Sequence, residues 1–199
     1  MDEDERSDQE LLTAHLAGDS QAFTALIKRH RDRLWSISLR TMRDPYEAEE
    51  ALQDALLLAY RRANQYRGEA AVTTWLHRIV VNSCLDRLRH VGRRTTIPLP
   101  ENLDGGLADE HDAMADVDMS MAIGDALAQL TPDRRAAVLL VDIEGLSISE
   151  SARVLNCPEG TVKSRCARGR MQLAELLGYL RNPVDTSNVI SKKGGDDNG

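Results

Sequence analysis

The chain has 199 residues, enough for one medium domain or two small ones, which excludes the large multidomain enzymes. With 42% hydrophobic and 29% charged residues it is globular in composition, so wholesale disorder, collagen and coiled-coil rods are excluded, and apolar runs such as residues 136–141 fall far short of the roughly 18 residues of a membrane span. The formal net charge of −7 argues against a nucleic-acid ligand only until it is located: residues 1–94, 121–178 and 179–199 are each neutral, and all of the excess lies in residues 95–120.

Helical signals dominate and period-two alternation is scarce, so the expected fold is all-α. Residues 1–7 form an acidic tail whose start, Met1-Asp2-Glu3-Asp4-Glu5, lacks the positive charge and apolar stretch of a signal peptide, and a cytoplasmic protein is expected. Leu11, Leu12, His15 and Leu16 predict a short helix ending at Gly18. Asp19 and Ser20 can cap a second helix, in which Phe23, Leu26, Ile27, Leu34, Ile37 and Ser38 recur at helical spacing to about Met42. Asp44 followed by Pro45 is a cap with proline at the first helical position, opening a third helix to about Arg62. After a loop over residues 64–71, a fourth helix runs from about Val72 to His90. Residues 95–120 hold seven acids and no Lys or Arg, together with Pro98, Pro100, Gly105 and Gly106, the composition of a solvated linker. Beyond it, Thr131-Pro132 caps a helix whose end is marked by Gly145. Ser147 and Glu150 form a capping-box pattern opening a short helix through Leu155, Asn156-Cys157-Pro158 breaks it, and a last helix follows from about Glu159 to Leu177. The expected architecture is two small helical domains, an N-terminal bundle over 8–94 and a helix-turn-helix domain over 121–178, joined by a flexible acidic linker and followed by a disordered tail over 179–199.

Within the modules the charge is polarised. Residues 61–94 carry eight Arg against Glu69 and Asp86, and residues 151–172 carry Arg153, Lys163, Arg165, Arg168 and Arg170 against Glu159. Two basic patches, one per module, suit a protein that grips a polyanion at two places; they suit a pair of solvated helix faces equally well. On the fourth helix Arg78, Asn82, Asp86, Arg89 and Arg93 fall along one face, opposite Val72, Leu76 and Ile79. Asn can contact adenine edges and Arg guanine or phosphate, while the alternative is an exposed face laced by an Asp86–Arg89 pair. Trp75 is either core or a stacking platform for an unpaired base. No Cys-x-x-Cys or clustered His pattern is present, so neither a metal nor a cofactor is expected, and no nucleophile–base pair or phosphate-binding glycine loop points to an enzyme. Cys84 is expected as a packed thiol, and Cys157 and Cys166 are separated by roughly 12 Å of helix rise, beyond disulfide reach.

The run Tyr66-Arg67-Gly68-Glu69, Thr74 to Asn82 and Asp86-Arg87-Leu88-Arg89 resembles the promoter-melting segment of extracytoplasmic-function sigma factors of bacterial RNA polymerase. Leu130-Thr131-Pro132, Gly145-Leu146-Ser147, Glu150-Ser151-Ala152 and above all Gly160-Thr161-Val162-Lys163-Ser164-Arg165-Cys166-Ala167-Arg168-Gly169-Arg170 resemble the family's C-terminal helix-turn-helix, and Glu49-Glu50-Ala51-Leu52-Gln53-Asp54 its polymerase-binding segment. The resemblance spans residues 8–178. It implies that the third helix, through Asp44, Glu47, Glu49, Glu50, Gln53, Asp54 and Leu57, docks on the clamp coiled coil of the largest subunit of core RNA polymerase. It implies that the loop with Tyr66 and Arg67, and Trp75 with the face of Arg78, Asn82, Asp86, Arg89 and Arg93, recognise and open the −10 element of promoter DNA. The last helix then enters the major groove at the −35 element, with Thr161 on a phosphate and Lys163, Ser164, Ala167 and Arg168 near the bases. Arg165 and Arg170 are expected to position the backbone or to be solvated. An anti-sigma factor is a further implied partner. Where family members commonly carry an aromatic pair this chain has Val72 and Thr73, so melting is expected to lean on Trp75, Tyr66 or the loop backbone. The alternatives are a self-sufficient helix-turn-helix repressor or activator, which would bind its operator without polymerase, and a protein-interaction adaptor, which would not touch DNA.

Overall fold

A computed structural model describes residues 4–94 and 115–178, and among these every regular element is a helix. Helix α1 (Asp8–Leu16) opens on a capping box in which the Ser7 hydroxyl accepts from the Glu10 amide and the Glu10 carboxylate accepts from the Ser7 amide. Helix α2 (Ala22–Met42) follows, its first turn held by the Asp19 carboxylate, which accepts from the amides of Gln21 and Ala22. Helix α3 (Pro45–Arg62) starts as its sequence predicts, with Asp44 accepting from the Glu47 amide and Pro45 where no amide is needed. Helix α4 (Val72–Arg94) is longer than expected by about one turn. Residues 4–7, expected as a tail, are tied down: Arg6 pairs with Asp4 and Asp19, and Arg29 of α2 donates to the carbonyls of Asp4 and Arg6. Residues 1–3, most of the expected linker and the tail over 179–199 lie outside the described residues.

Helix α5 (Ala115–Ala128) begins inside the stretch expected to be linker; its apolar Ala126, Leu127 and Ala128 are buried, which gives the segment a reason to fold. Helix α6 (Pro132–Val138) continues into a wider π-turn over Leu139–Ile143, in which the Glu144 amide reaches back five residues to the Leu139 carbonyl. Thr131 occupies the cap position, but its hydroxyl makes no capping bond, a departure from the expected cap. Helix α7 (Ile148–Val154) has the predicted capping box of Ser147 and Glu150. Asn156 adopts a left-handed φ of 49° at the break, and helix α8 (Glu159–Leu176) completes the helix-turn-helix.

Helices α2, α3 and α4 pack as a bundle with α1 on its flank, and α6 and α7 pack against α8. The two halves are not held apart. Helix α7 lies on α4, and one apolar core runs from Leu11 through Leu26, Leu76 and Val81 to Leu140, Val154, Val162 and Cys166. Arg135 of α6, 4% exposed, donates to the carbonyls of Leu127, Ala128 and Leu130 and, across the divide, to that of Thr41 at the end of α2.

Two interior positions generate tests. A Cβ added at Gly169 of α8 would lie 2.7 Å from Cγ2 of Val138, so α8 approaches α6 only because that position has no side chain. Gly169→Val is expected to destabilise the fold by about 1–3 kcal/mol, read as a lower urea midpoint at unchanged slope. His77 of α4 is 2% exposed, and neither ring nitrogen has a hydrogen-bond partner. Burial lowers its pKa from 6.5 to about 4, against the opposing pull of Glu144 and with help from Arg33 and His30. Between those two values the unfolded chain binds the extra proton, so stability should fall as pH drops from 6.5 to 4, by up to about 3 kcal/mol. Thermal unfolding across that range is expected to show the loss in the natural chain and a flatter profile in His77→Leu.

Candidate nucleic-acid interface

Helix α8 sorts its side chains by direction. Val162, Cys166 and Gly169 are buried against α6 and α7 because they recur at three- and four-residue spacing, and Lys163, Ser164, Ala167 and Arg168 consequently face solvent. Thr161, half-buried, stands in the first turn, where its amide donates to the Pro158 carbonyl and its own carbonyl accepts from the Ser164 hydroxyl. The remaining two cations of the helix point elsewhere. Arg165 pairs with Asp133 of α6 at 2.5 Å, and Arg170 pairs bidentately with Asp142 of the π-turn at 2.7 and 3.1 Å. Arg165 is thereby tied to α6, while Arg170, 55% exposed, stays solvated as expected and also meets Asp142. Lys163 and Arg168 make no ion pair among the described residues, so their charge is available to a phosphate or a base edge.

The polar face of α4 is partly consumed inside the protein. Arg78 is exposed. Asn82 is half-buried, and its amide nitrogen donates to the carbonyl of Arg78 at 2.7 Å and to that of Val154 in α7 at 2.8 Å. Asp86 and Arg89 form an i,i+3 pair at 2.8 Å, the alternative expected for this face, and Arg89 also approaches Asp133 at 3.8 Å. The side chain of Arg93 lies outside the described residues. Val72, at the position of the missing aromatic, is buried in the core. Trp75 is half-buried, packs on the core and lies 5.7 Å from the ring of Tyr66, whose hydroxyl donates to the Ala70 carbonyl. These rings line a cleft of about 570 Å³ together with Asn64, Arg67, Arg78 and, from the second half of the chain, Arg153. Trp75 is therefore both a core residue on one edge and a cleft wall on the other.

On α3 the acidic residues fall into two groups. Glu47 is bonded to Arg87 of α4, and Glu50 and Asp54 lie 3.9 and 3.8 Å from the same guanidinium, whose pKa is raised chiefly by its bond to Glu47. Glu49 and Gln53 are exposed and joined by a side-chain bond of 3.3 Å, and Leu57 is 57% exposed beside them along the helix. Asp44 is committed to the helix cap. Arg87 was not singled out by the sequence reading; its offset from the Arg78–Asn82–Asp86 row is the signal that turns it toward α3.

The thiols carry no site. Cys84, Cys157 and Cys166 are free; burial pushes the Cys84 thiol up to about 11 and raises that of Cys166. Among the described residues no group of His, Cys, Asp and Glu is arranged to hold a metal ion, and no helix is long and apolar enough to cross a membrane.

Comparison with known proteins gives consistent likenesses. A family model of sigma-70 region 2 matches residues 26–94 and one of sigma-70 region 4 matches residues 120–173. The chain is 49% identical over 181 residues to the ECF RNA polymerase sigma factor SigM of Mycobacterium tuberculosis, covering 91% of this chain and 90% of the relative. It is 32% identical to the RNA polymerase sigma-H factor of Pseudomonas aeruginosa, over 88% of this chain and 96% of that one. Among solved structures, the sigma factor RpoE in complex with the anti-sigma factor NepR from Bartonella quintana matches with a TM-score of 0.68 at 24% identity, over 79% of this chain and 98% of that chain. The extracytoplasmic function sigma factor SigJ of Mycobacterium tuberculosis matches with a TM-score of 0.54 at 26% identity, over 83% of this chain and 60% of that chain.

Proposed function

The chain belongs to the extracytoplasmic-function sigma factors of bacterial RNA polymerase, proteins that direct the enzyme to promoters, and from that premise we propose how its surfaces divide the work. Thr161, Lys163, Ser164, Ala167 and Arg168 of α8 enter the major groove at the −35 element. Arg78, Asn82, Asp86, Arg89 and Arg93 of α4, with Tyr66, Arg67 and Trp75 at the cleft, recognise the −10 element and hold it open. Asp44, Glu47, Glu49, Glu50, Gln53, Asp54 and Leu57 of α3 form the face that docks on the clamp coiled coil of core polymerase, with Glu49, Gln53, Asp54 and Leu57 its exposed members. Residues 8–94 and 121–178 act as the two DNA-contacting units. The chain supplies binding energy and no chemistry, RNA synthesis being the work of polymerase in the cytoplasm.

One observation carries this reading. Of the four cations on α8, two are drawn into ion pairs with Asp133 and Asp142, while Lys163 and Arg168 stand exposed on the face opposite Val162 and Cys166. A helix that leaves two uncompensated cations and two small side chains, Ser164 and Ala167, on one open face can press close to DNA; a merely solvated face has no need of that combination. An anti-sigma factor is a further partner in this reading, supported by the solved RpoE, which is held in complex with one.

In vitro transcription from genomic fragments with purified core tests the assignment. Start sites are expected only when both core and this chain are present. Arg168→Ala should lower transcription about 5- to 150-fold, the loss of one contact worth about 1–3 kcal/mol. Equal footprints with and without core would instead identify a self-sufficient regulator.

A further inference from the structure

The cleft beside Trp75 carries groups that the assignment to promoter DNA leaves unused. Its volume of about 570 Å³ lies within the roughly 300–1,000 Å³ of small-ligand sites. Its walls come from the loop over residues 64–70, from the first two turns of α4, and from Arg153 and Val154 at the end of α7. The loop is preformed. The Tyr66 hydroxyl donates to the Ala70 carbonyl at 2.6 Å, and Gly68 turns the chain at a left-handed φ of 72°.

Three guanidinium groups border this one space, those of Arg67, Arg78 and Arg153, and none makes an ion pair among the described residues. Arg87, Arg165 and Arg170, by contrast, are each paired with a carboxylate. Unpaired cations gathered around a cavity raise its positive potential and draw a polyanion into it. Thr74, 7% exposed, also lines the cleft, and its hydroxyl makes no hydrogen bond among the described residues, which leaves a buried polar group for a ligand. The half-buried rings of Tyr66 and Trp75, 5.7 Å apart, form an aromatic wall. Such a wall takes the face of a planar base, and guanidinium forks take phosphate oxygens in pairs. Glu69 lines the same cleft. A carboxylate repels phosphate, but it accepts hydrogen bonds from ribose hydroxyls.

We propose that this cleft binds a free ribonucleoside di- or triphosphate. The base lies against Trp75 and Tyr66, the phosphates lie on Arg67, Arg78 and Arg153, the Thr74 hydroxyl donates to a ligand oxygen, and Glu69 accepts from the ribose 2′-hydroxyl. DNA lacks that hydroxyl, so Glu69 favours a ribonucleotide over a promoter strand. Tyr66, Arg67, Trp75 and Arg78 are shared with the −10 assignment, whereas Arg153 and Glu69 are not, and the nucleotide site stands whether or not promoter DNA also uses the cleft. Competition between nucleotide and −10 strand for Trp75 and Arg78 is a consequence that does rest on that assignment.

Calorimetric titration of the full-length chain without core tests the site, at about 0.15 M salt, where loose surface attraction is screened. The probes are ATP, GTP, dATP and inorganic triphosphate. ATP or GTP is expected to bind at one per chain, about 5- to 150-fold more tightly than inorganic triphosphate, the contribution of base stacking. ATP should also bind about ten-fold more tightly than dATP, and Glu69→Ala should bring the two to parity. Arg153→Gln, at an exposed position, should weaken nucleotide binding about ten-fold or more. Arg31→Gln removes the same charge from an exposed position of α2 outside the cleft and should leave nucleotide affinity unchanged. No binding of either nucleotide at millimolar concentration, equal affinity for inorganic triphosphate, no preference for ribose, or equal losses in Arg153→Gln and Arg31→Gln would overturn the site. The −10 assignment fails separately: holoenzyme that does not bind a single-stranded oligonucleotide covering the −10 region of a promoter mapped by the transcription assay removes that assignment and leaves the nucleotide titrations to decide the site.

Discussion

Arg135 sits where α2, α5 and α6 meet, and its guanidinium is satisfied entirely by backbone carbonyls, those of Leu127, Ala128 and Leu130 at the end of α5 and that of Thr41 near the end of α2. Helix C-termini leave carbonyls without intrahelical partners and carry partial negative charge, so one planar cation answers several needs at once. Burial pulls its pKa down to about 10, with the Arg43 charge adding to the effect, and it remains protonated at neutral pH. With the apolar core that the halves share, this junction sets α6, and through α6 the π-turn and α8, against the first bundle. Lysine could not substitute, since it lacks the forked donors that reach three directions from one plane.

From that junction the electrostatics divide into bonds that build the protein and charges left for its partners. Arg87 gathers Glu47, Glu50 and Asp54, Arg165 takes Asp133, and Arg170 takes Asp142. The π-turn makes the last of these possible while also aiming Glu144 at Arg33, since the extra residue in its ring shifts the direction of the side chains that follow. What remains exposed is an α3 surface with Glu49, Gln53 and Leu57 and an α8 surface with Lys163 and Arg168. The partner-facing charges are the residue of an internal neutralisation, and a raw count of Arg or Glu per helix does not identify them.

Much of this was readable along the chain. Asp44-Pro45 and the Ser147–Glu150 box start helices where they were expected to, because a cap is a local hydrogen bond made within four residues. The buried row Val162, Cys166 and Gly169 and the open row Lys163, Ser164, Ala167 and Arg168 follow from helical periodicity alone. The capping box of Ser7 and Glu10 is equally local, and it brings Ser7, expected in the tail, into the start of α1. Other features had no local signature. Asn82 lies on the predicted face, yet its donors are spent on carbonyls, one of them 72 residues away in sequence.

The sequence by itself determined the helices, their apolar and polar sides, the two-unit order of segments and the family, since each depends on interactions between residues a turn or two apart or on the order of motifs. The docking of α7 on α4, the commitment of Arg165 and Arg170 to Asp133 and Asp142, the close approach at Gly169 and the burial of His77 and Arg135 were decided only in three dimensions. Each joins groups distant along the chain, and which of many exposed-looking polar residues becomes buried depends on how whole helices settle against one another, a choice that no spacing rule within one helix encodes.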